Sequence, residues 1–148
     1  MIDKLLHDSK VLVMGILNVT PDSFSDGGRY TKANIAVDHA FKMIDDGADI
    51  IDIGGESTRP GSISVSKDEE CTRILPVIES IKNINSKITI SVDTYKASVA
   101  KKAIEAGADI VNDISGLTFD SNMLPLLSGK DIPVIIMHIN GKPKTMQN

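Results

Sequence analysis

Three polar side chains stand where apolar runs of this sequence end. Asn18 follows "VLVMGIL", Asp93 follows "ITISV" and Asn112 closes "ADIVN". An Asn oxygen suits a hard cation such as Mg²⁺, and a carboxylate can accept two hydrogen bonds from an amidine or aminopyrimidine edge. Asn112 carries both a donor and an acceptor, so it can read the edge of a heteroaromatic ring. Each residue is therefore a candidate for one kind of contact: Asn18 to a cation, Asp93 to an amidine or aminopyrimidine edge, and Asn112 to a heteroaromatic edge.

Each of these residues also has a structural interpretation that the sequence leaves open. Asn18 could bond the backbone of its own loop. Asp93 could cap the helix that follows it, although Thr94 could do so instead. Asn112 and its neighbour Asp113 compete for the inward position, because strand register decides which of the two points inward.

The stretch "NVTPDSFSDGGRY" is a long polar segment directly after the first apolar run. A loop that only turns the chain is usually shorter, so we expect this one to bind a polar ligand. Gly27 and Gly28 suit a hinge that lets the loop close over a substrate as a lid. Phe24 fits either a lid contact to a ring or a plug at the rim. The polar residues of the lid are also ordinary turn residues: Asp22, Ser23, Ser25 and Asp26.

The segment "GGESTRPG" (54–61) concentrates functional groups after the second apolar run. Thr58 can donate a hydrogen bond to a phosphate or a polar ring, and Arg59 suits bidentate contact with an anion. The segment is not a Walker P-loop, and a solvated turn is the alternative interpretation. After the fifth run, His138 is a candidate ligand or base, and Met137 fits packing against a planar ligand or a core neighbour.

Composition narrows the class of protein. The chain has 148 residues, a net charge of −4 and 3% aromatic residues, which is a poor match for nucleic acid or membrane partners. Cys71 is the one cysteine, so an internal disulfide framework is excluded and the cytoplasm is the expected location. The N-terminal "MIDKLLHDSK" lacks the apolar core of a signal peptide, and no apolar run reaches the length of a membrane span.

Five short apolar runs predict strands at 11–17, 48–53, 88–92, 108–112 and 133–137. They are rich in Ile and Val and nearly continuous, which is typical of parallel strands that are covered on both faces. Helical spacing of apolar residues predicts helices at 32–46, 66–83, 95–105 and 121–128. The related phrases "DDGADIIDIGG" and "EAGADIVNDIS" place Gly47 and Gly107 where helices end in a left-handed residue.

The polar segments all follow strands. The loops that precede strands, such as "DDG" and "EAG", show no comparable concentration of functional groups. Alternating strands and helices give parallel strands with right-handed crossovers, and a (β/α) barrel carries its site at the C-terminal ends of its strands. An open doubly wound sheet concentrates its ligand at one crevice, but here every successive strand contributes. We predict the N-terminal half of a TIM (β/α)8 barrel, about four βα units and a fifth strand, forming one partial domain over residues 1–148.

Two stretches resemble signatures of the dihydropteroate synthase family: "MGILNVTPDSFSDGG" (14–28) and "DIGGESTRPG" (52–61). "SVDTYKASVAKKAIEAGADIVNDISG" (91–116) and "MHINGKPKTMQN" (137–148) are similar to later segments of that family. The resemblance implies a pterin-binding TIM barrel of folate biosynthesis. Such an enzyme joins (7,8-dihydropterin-6-yl)methyl diphosphate to 4-aminobenzoate and releases diphosphate. The resemblance also implies a cytoplasmic, Mg²⁺-dependent transferase that is a sulfonamide target and, when full length, a homodimer.

The same resemblance assigns roles to the candidate residues. Asn18 resembles the Mg²⁺ ligand, with Asp26 as a second candidate. The residues that resemble pterin diphosphate contacts are Thr58, Asp93, Asn112 and Met137. The residues that resemble 4-aminobenzoate contacts are Phe24, Arg59 and Pro60. The lid would comprise Asp22, Ser25, Asp26, Gly27 and Gly28.

The implied reaction suits these residue types. Diphosphate leaves from a methylene on an electron-rich ring, and Mg²⁺ would neutralise the departing charge. The ring becomes cationic, and the carboxylate of Asp93 would favour that positive charge. The amine then attacks, so positioning and electrostatics carry the catalysis and no protein nucleophile is needed. Asp93 and Asn18 are therefore the predicted catalytic residues.

Residues 1–148 are expected to hold only part of the implied pocket. The family's later strands supply an Asp, a Lys, an Arg and a His near the pterin and the diphosphate. A half-barrel would expose a strand edge and apolar helix faces, so we expect the chain alone to be inactive and to self-associate. Two other functions remain open: a pterin-binding methyltransferase domain, which "SFSDGG" and "STRPG" disfavour, and a non-catalytic half-barrel that needs a partner chain.

Overall fold

The computed structural model describes residues 11–20, 29–57 and 64–137, with only the backbone of residues 29–32. Strands and helices alternate along these residues. The strands are β1 (Met14–Asn18), β2 (Ile50–Gly54), β3 (Thr89–Asp93), β4 (Ile110–Asp113) and β5 (Val134–Ile136). The helices are α1 (Arg29–Asp45), α2 (Lys67–Ile84), α3 (Ala97–Glu105) and α4 (Met123–Ser128). Each predicted strand and helix is present, with ends shifted by a few residues.

The strands form one parallel sheet in the order β1-β2-β3-β4-β5. Each strand pairs with the next one along the chain, and a helix lies in each connection. A doubly wound sheet reverses its strand order at the ligand crevice, whereas this sheet shows no reversal. The order is that of the first half of a (β/α)8 barrel.

The face of the sheet toward the helices holds the core. Leu17, Ile53, Val92 and Val111 stand at one register level of β1 to β4 and are fully buried. They pack in one apolar cluster with residues of the helices, such as Ile78 of α2. Burying one such side chain stabilises a fold by about 1.5–3 kcal/mol. This layer therefore fixes the strands on which the site residues stand.

The opposite face of the sheet is more polar and more open. Ile16 and Ile135 are exposed on it, while Asp52 and Ser91 lie buried at its centre. Successive side chains of a strand alternate between faces, so Asn18 and Ile16 share this face. The polar residues that follow apolar runs are thus carried on a separate surface from the core.

The helices α1 and α3 end at glycines in the turns before β2 and β4, as predicted. Gly47 and Gly107 take positive φ angles of 106° and 112°, which glycine adopts without steric strain. Their N–H groups donate to the carbonyls of Ile44 and Ile104, so the last turns of α1 and α3 are satisfied. Among the helices of the described residues, none is long and apolar enough to cross a membrane.

Candidate active site

A row of one residue from each of the first four strands lies at the C-terminal edge of the sheet. Register pairs Asn18 with Gly54, Gly54 with Asp93, and Asp93 with Asn112. Residues in register point to the same face of a sheet. The structure therefore brings the side chains of Asn18, Asp93 and Asn112 onto one face, as the sequence predicted.

Gly54 leaves an opening between two of these side chains. A Cβ atom at Gly54 would stand 3.4 Å from Asp93 Oδ2 and 3.8 Å from Asn18 Oδ1. The two oxygens thus face one space that a larger residue would fill. Oxygen donors suit Mg²⁺, which keeps several waters and binds through few protein oxygens together with substrate phosphates. Over residues 11–20, 29–57 and 64–137, no group of three or more His, Cys, Asp or Glu side chains could hold a metal by itself.

Asp93 is a carboxylate held without a cationic partner in the described part of the chain. Its Oδ1 is buried and has no hydrogen-bond partner there. Burial raises the pKa of Asp93 to about 7, and the nearby carboxylates, first that of Asp52, add to the effect. A ligand that brings N–H donors or positive charge would favour the ionised form. Asp93 is therefore poised to bind such a ligand.

The capping interpretation of Asp93 is wrong. The N–H of Ala97, the first residue of α3, donates to Asp120 Oδ2 at 3.0 Å. The N–H of Lys96 donates to Thr94 Oγ1 at 3.2 Å. The helix end is satisfied by these residues, so the Asp93 carboxylate is left for the open face.

Register also decides between Asn112 and Asp113. Asn112 faces the opening and donates from Nδ2 to Asp52 Oδ2 at 3.0 Å. Asp113 points to the other face, where it is fully buried. Its Oδ1 accepts from the Ser115 N–H at 2.7 Å and from Ser115 Oγ at 2.6 Å. Asp113 is therefore held in a turn on the core side, and Asn112 is the one of the two that faces the opening.

Met137 lies directly after β5, two residues beyond the position that continues the row. Its N–H donates to the Asp113 carbonyl at 3.2 Å. Ile135 is in register with Asn112, and Met137, two residues on, shares its face by alternation. Its side chain is 44% exposed, which fits a wall of an open slot and excludes packing deep in the core.

A buried charged cluster, here called the Glu56 network, holds the segment after β2. Lys96 Nζ donates to Glu56 Oε2 and to Glu70 Oε2. Tyr95 Oη donates to Glu56 Oε1 at 2.7 Å, and the Val65 N–H donates to Glu56 Oε2 at 3.0 Å. Glu56, Glu70 and Lys96 are all buried. The network ties together the ends of β2 and β3, the start of α2 and the chain before it.

The charges of the Glu56 network support one another. Burial acts to raise the pKa of Glu56, but hydrogen bonds from Lys96, Val65 and Tyr95 hold it below its usual value. Burial acts to lower the pKa of Lys96, but hydrogen bonds to Glu56 and Glu70 outweigh it and raise the pKa. Glu56 and Lys96 therefore stay ionised near neutral pH, which strengthens the bonds that hold the loop.

The sequence profile of the pterin-binding enzyme family matches residues 14–148. The chain belongs to this family. The dihydropteroate synthase of Bacillus subtilis is 58% identical over 134 residues, which are 90% of this chain and 47% of that protein. The chain thus spans about half the length of this relative.

The structures of two solved dihydropteroate synthases resemble that of this chain. That of Clostridium difficile, solved in the presence of pteroic acid, has a TM-score of 0.85 and 52% identity over 89% of this chain and 50% of that chain. That of Xanthomonas albilineans, solved with 4-aminobenzoic acid, has a TM-score of 0.83 and 44% identity over 89% and 48%. The predicted resemblance to dihydropteroate synthase and the predicted half-barrel are confirmed.

Several of the predicted site residues of this chain lie outside the residues that the structure describes. In the first loop they are Asp22, Ser23, Phe24, Ser25, Asp26, Gly27 and Gly28. In the second and fifth loops they are Thr58, Arg59, Pro60 and His138. The roles of these residues stay predictions.

Sequence reasoning missed Asp52 and the Glu56 network. Glu70 belongs to the acidic first turn of α2, a place that usually faces solvent, but it lies four residues before buried Ile74 on the apolar stripe of that helix. Asp52 interrupts the apolar run "ADIIDI" two residues before Gly54, on the face of the site. A charge at a position that the hydrophobic period assigns to the interior was the signal in both cases.

Replacing Gly55 by Ala is expected to lower the free energy of unfolding by about 1–3 kcal/mol. An added Cβ would stand 2.9 Å from Ile74 Cγ2, 3.0 Å from Glu70 Cγ and 3.2 Å from the Glu70 carbonyl. The loop after β2 would have to move away from α2. Gly129→Ala is the matched control, because nothing lies within 4 Å of its Cβ position. Urea denaturation measures both, and equal stabilities would contradict the close packing of this loop.

Proposed function

We propose that this chain forms the N-terminal half of a dihydropteroate synthase. The enzyme would condense (7,8-dihydropterin-6-yl)methyl diphosphate with 4-aminobenzoate to 7,8-dihydropteroate and diphosphate. The row of Asn18, Asp93 and Asn112 around Gly54, in a member of the pterin-binding enzyme family, carries the proposal. Its similarity to dihydropteroate synthases over nearly the whole chain supports this reaction.

Asp93 and Asn112 would hold the pterin ring. A pterin edge presents neighbouring N–H donors, and Asp93 offers a buried carboxylate oxygen that no described residue uses. Departure of diphosphate leaves positive charge on the ring system, and a fixed carboxylate beside it stabilises that charge. Met137 would form one wall of the slot, since it stands exposed on the same face.

Asn18 would hold Mg²⁺, with Asp26 of the first loop as a second candidate ligand. The fit rests on Asn18 Oδ1, which faces the space above Gly54 beside Asp93 Oδ2. A bound Mg²⁺ would neutralise charge on the departing diphosphate. Asn18 would thereby orient the diphosphate end of the substrate, while Asp93 orients its ring.

The two other loops would complete this side of the pocket. Thr58 follows the segment that the Glu56 network fixes, and we assign it to the pterin diphosphate. Phe24, Arg59 and Pro60 are assigned to 4-aminobenzoate, so sulfonamides that resemble this substrate should compete with it. We assign the lid role to residues 22–28. For the whole enzyme we propose a cytoplasmic location and a homodimer.

A completed barrel tests this function. Residues 1–148 are joined to the part of the Bacillus subtilis relative that follows the matched region, and this fusion is called the completed barrel. With Mg²⁺, it is expected to form 7,8-dihydropteroate from the two substrates, as measured by chromatography, whereas residues 1–148 alone should form none. A folded completed barrel without this activity would contradict the proposal, and selective binding of a methyl-folate would favour the methyltransferase function instead.

A further inference from the structure

Asp52 makes a contact that joins two strands across a third. It stands on β2 two residues before Gly54, so its side chain shares the face of the site. Its Oδ2 accepts from Asn112 Nδ2 of β4 at 3.0 Å. The strand between them, β3, presents Ser91 in register with Asp52. The small Ser side chain lets the carboxylate reach across β3 to the amide.

This contact fixes which end of the Asn112 amide faces the site. Burial raises the pKa of Asp52, and the hydrogen bond from Asn112 opposes that rise by favouring the charged form. The ionised carboxylate can only accept hydrogen bonds, so it takes the NH2 end of the amide, as the contact from Nδ2 shows. Asp52 is only 3% exposed, so water competes little for it. The Oδ1 end of Asn112 is then turned away from Asp52, and Asn112 joins Asp93 as a second acceptor in the row.

We propose that Asp52 is a positioning residue that sets the specificity of the site. By holding the NH2 group of Asn112, it makes Asn112 an acceptor, so the site selects ring edges that present N–H donors and rejects ring edges that present lone pairs. This inference rests on the proposed function, because it names how the same site reads its pterin ring. A site built to accept hydrogen bonds discriminates strongly, since a ligand without donors leaves its buried acceptors unpaired.

The polarity of the contact can be reversed without changing its shape. In Asp52→Asn combined with Asn112→Asp, the new amide donates to the new carboxylate, whose second oxygen still faces the site as an acceptor. In Asp52→Val the acceptor is lost and the amide of Asn112 can turn over. Binding of 6-hydroxymethyl-7,8-dihydropterin, which carries the ring N–H groups of the proposed substrate, to the completed barrel is measured by calorimetry without metal and compares these variants.

Asp52→Val is expected to weaken pterin binding about 10-fold or more, and the double variant should recover to within about threefold of the unmodified protein. Asp109→Asn is the control for loss of a partly buried carboxylate contact away from the site. Asp109 bonds Lys82 Nζ and the Ile90 N–H at the opposite end of the sheet. The Asp109→Asn variant should have a lower free energy of unfolding and an unchanged affinity for the pterin.

The outcomes separate the two proposals. If the unmodified completed barrel does not bind the pterin, the proposed function fails and this inference fails with it. If it binds and Asp52→Val binds equally well, the inference alone is overturned. A double variant that binds no better than Asp52→Val would also overturn it, because Asn112 would then have to donate to the ligand. If Asp52→Val does not fold, the isosteric double variant carries the test.

Discussion

Replacing Asp93 by Asn is expected to lower kcat/KM of the completed barrel by about 100-fold or more. The amide has the same shape but no charge, so it cannot stabilise positive charge on the ring as diphosphate leaves. It also puts a donor where the ring presents donors. Initial rates of 7,8-dihydropteroate formation measure the effect.

The stability of the same variant shows whether the loss is chemical. Burial raises the pKa of Asp93 from 3.8 to about 7, so the folded state binds this proton more tightly than the unfolded state. The stability that the protonated group contributes is fully present below pH 3.8 and is lost as pH rises through about 7. Asp93→Asn lacks this loss, so relative to the unmodified protein its free energy of unfolding should rise by up to a few kcal/mol between about pH 4 and 7.

Asp109→Asn is the matched control for Asp93→Asn. Its carboxylate pairs with Lys82 Nζ at 2.7 Å, so its loss should destabilise the fold and leave the activity of the folded protein intact. A catalytic role for Asp93 would be contradicted if Asp93→Asn were as unstable as this control at pH 8 and if its loss of activity only matched its loss of folded protein. Asp93 would then have a structural role.

Replacing Lys96 by Met is expected to lower the free energy of unfolding by about 3–5 kcal/mol. Lys96 is the cation of the Glu56 network, and its removal leaves Glu56 and Glu70 buried close together without a counter-charge. One of these two carboxylates must then take up a proton, or the loop must open so that water reaches them. Urea denaturation of the completed barrel measures the change.

Lys101→Met provides the control for Lys96→Met. Lys101 pairs with Glu105 at 4.0 Å on the surface of α3, and both side chains are 63% exposed. Exposed pairs contribute about 0–1 kcal/mol, so this variant should change stability little. If Lys96→Met were no more destabilised than Lys101→Met, the Glu56 network would not be what holds the loop after β2.

The sequence predicted the elements of this fold because their signals are local. Runs of Ile and Val gave β2 and β3, apolar spacing gave α1 to α4, and Gly47 and Gly107 ended two of those helices. The candidates Asn18 and Asp93 could be placed at one edge of the sheet because they directly follow such runs. The C-terminal ends of parallel strands meet at one edge, so position along the chain predicted position in space.

The missed parts of the site depend on contacts that no local pattern records. Asp52 and Asn112 are 60 residues apart, and Lys96 and Glu56 are 40 residues apart. Which of Asn112 and Asp113 points inward also depended on the register of β4 against β3. The sequence showed a charge inside an apolar strand and a Glu on an apolar stripe, but only the folded chain supplies their partners.

A crystal structure of the completed barrel with 6-hydroxymethyl-7,8-dihydropterin would test the central claim most directly. The ring is expected to lie on the open face of the sheet, with ring N–H groups within about 3.2 Å of Asp93 and of Asn112 Oδ1. A ring bound elsewhere, or one that directs lone pairs rather than N–H groups at these two side chains, would contradict the assignment of this row as the pterin site.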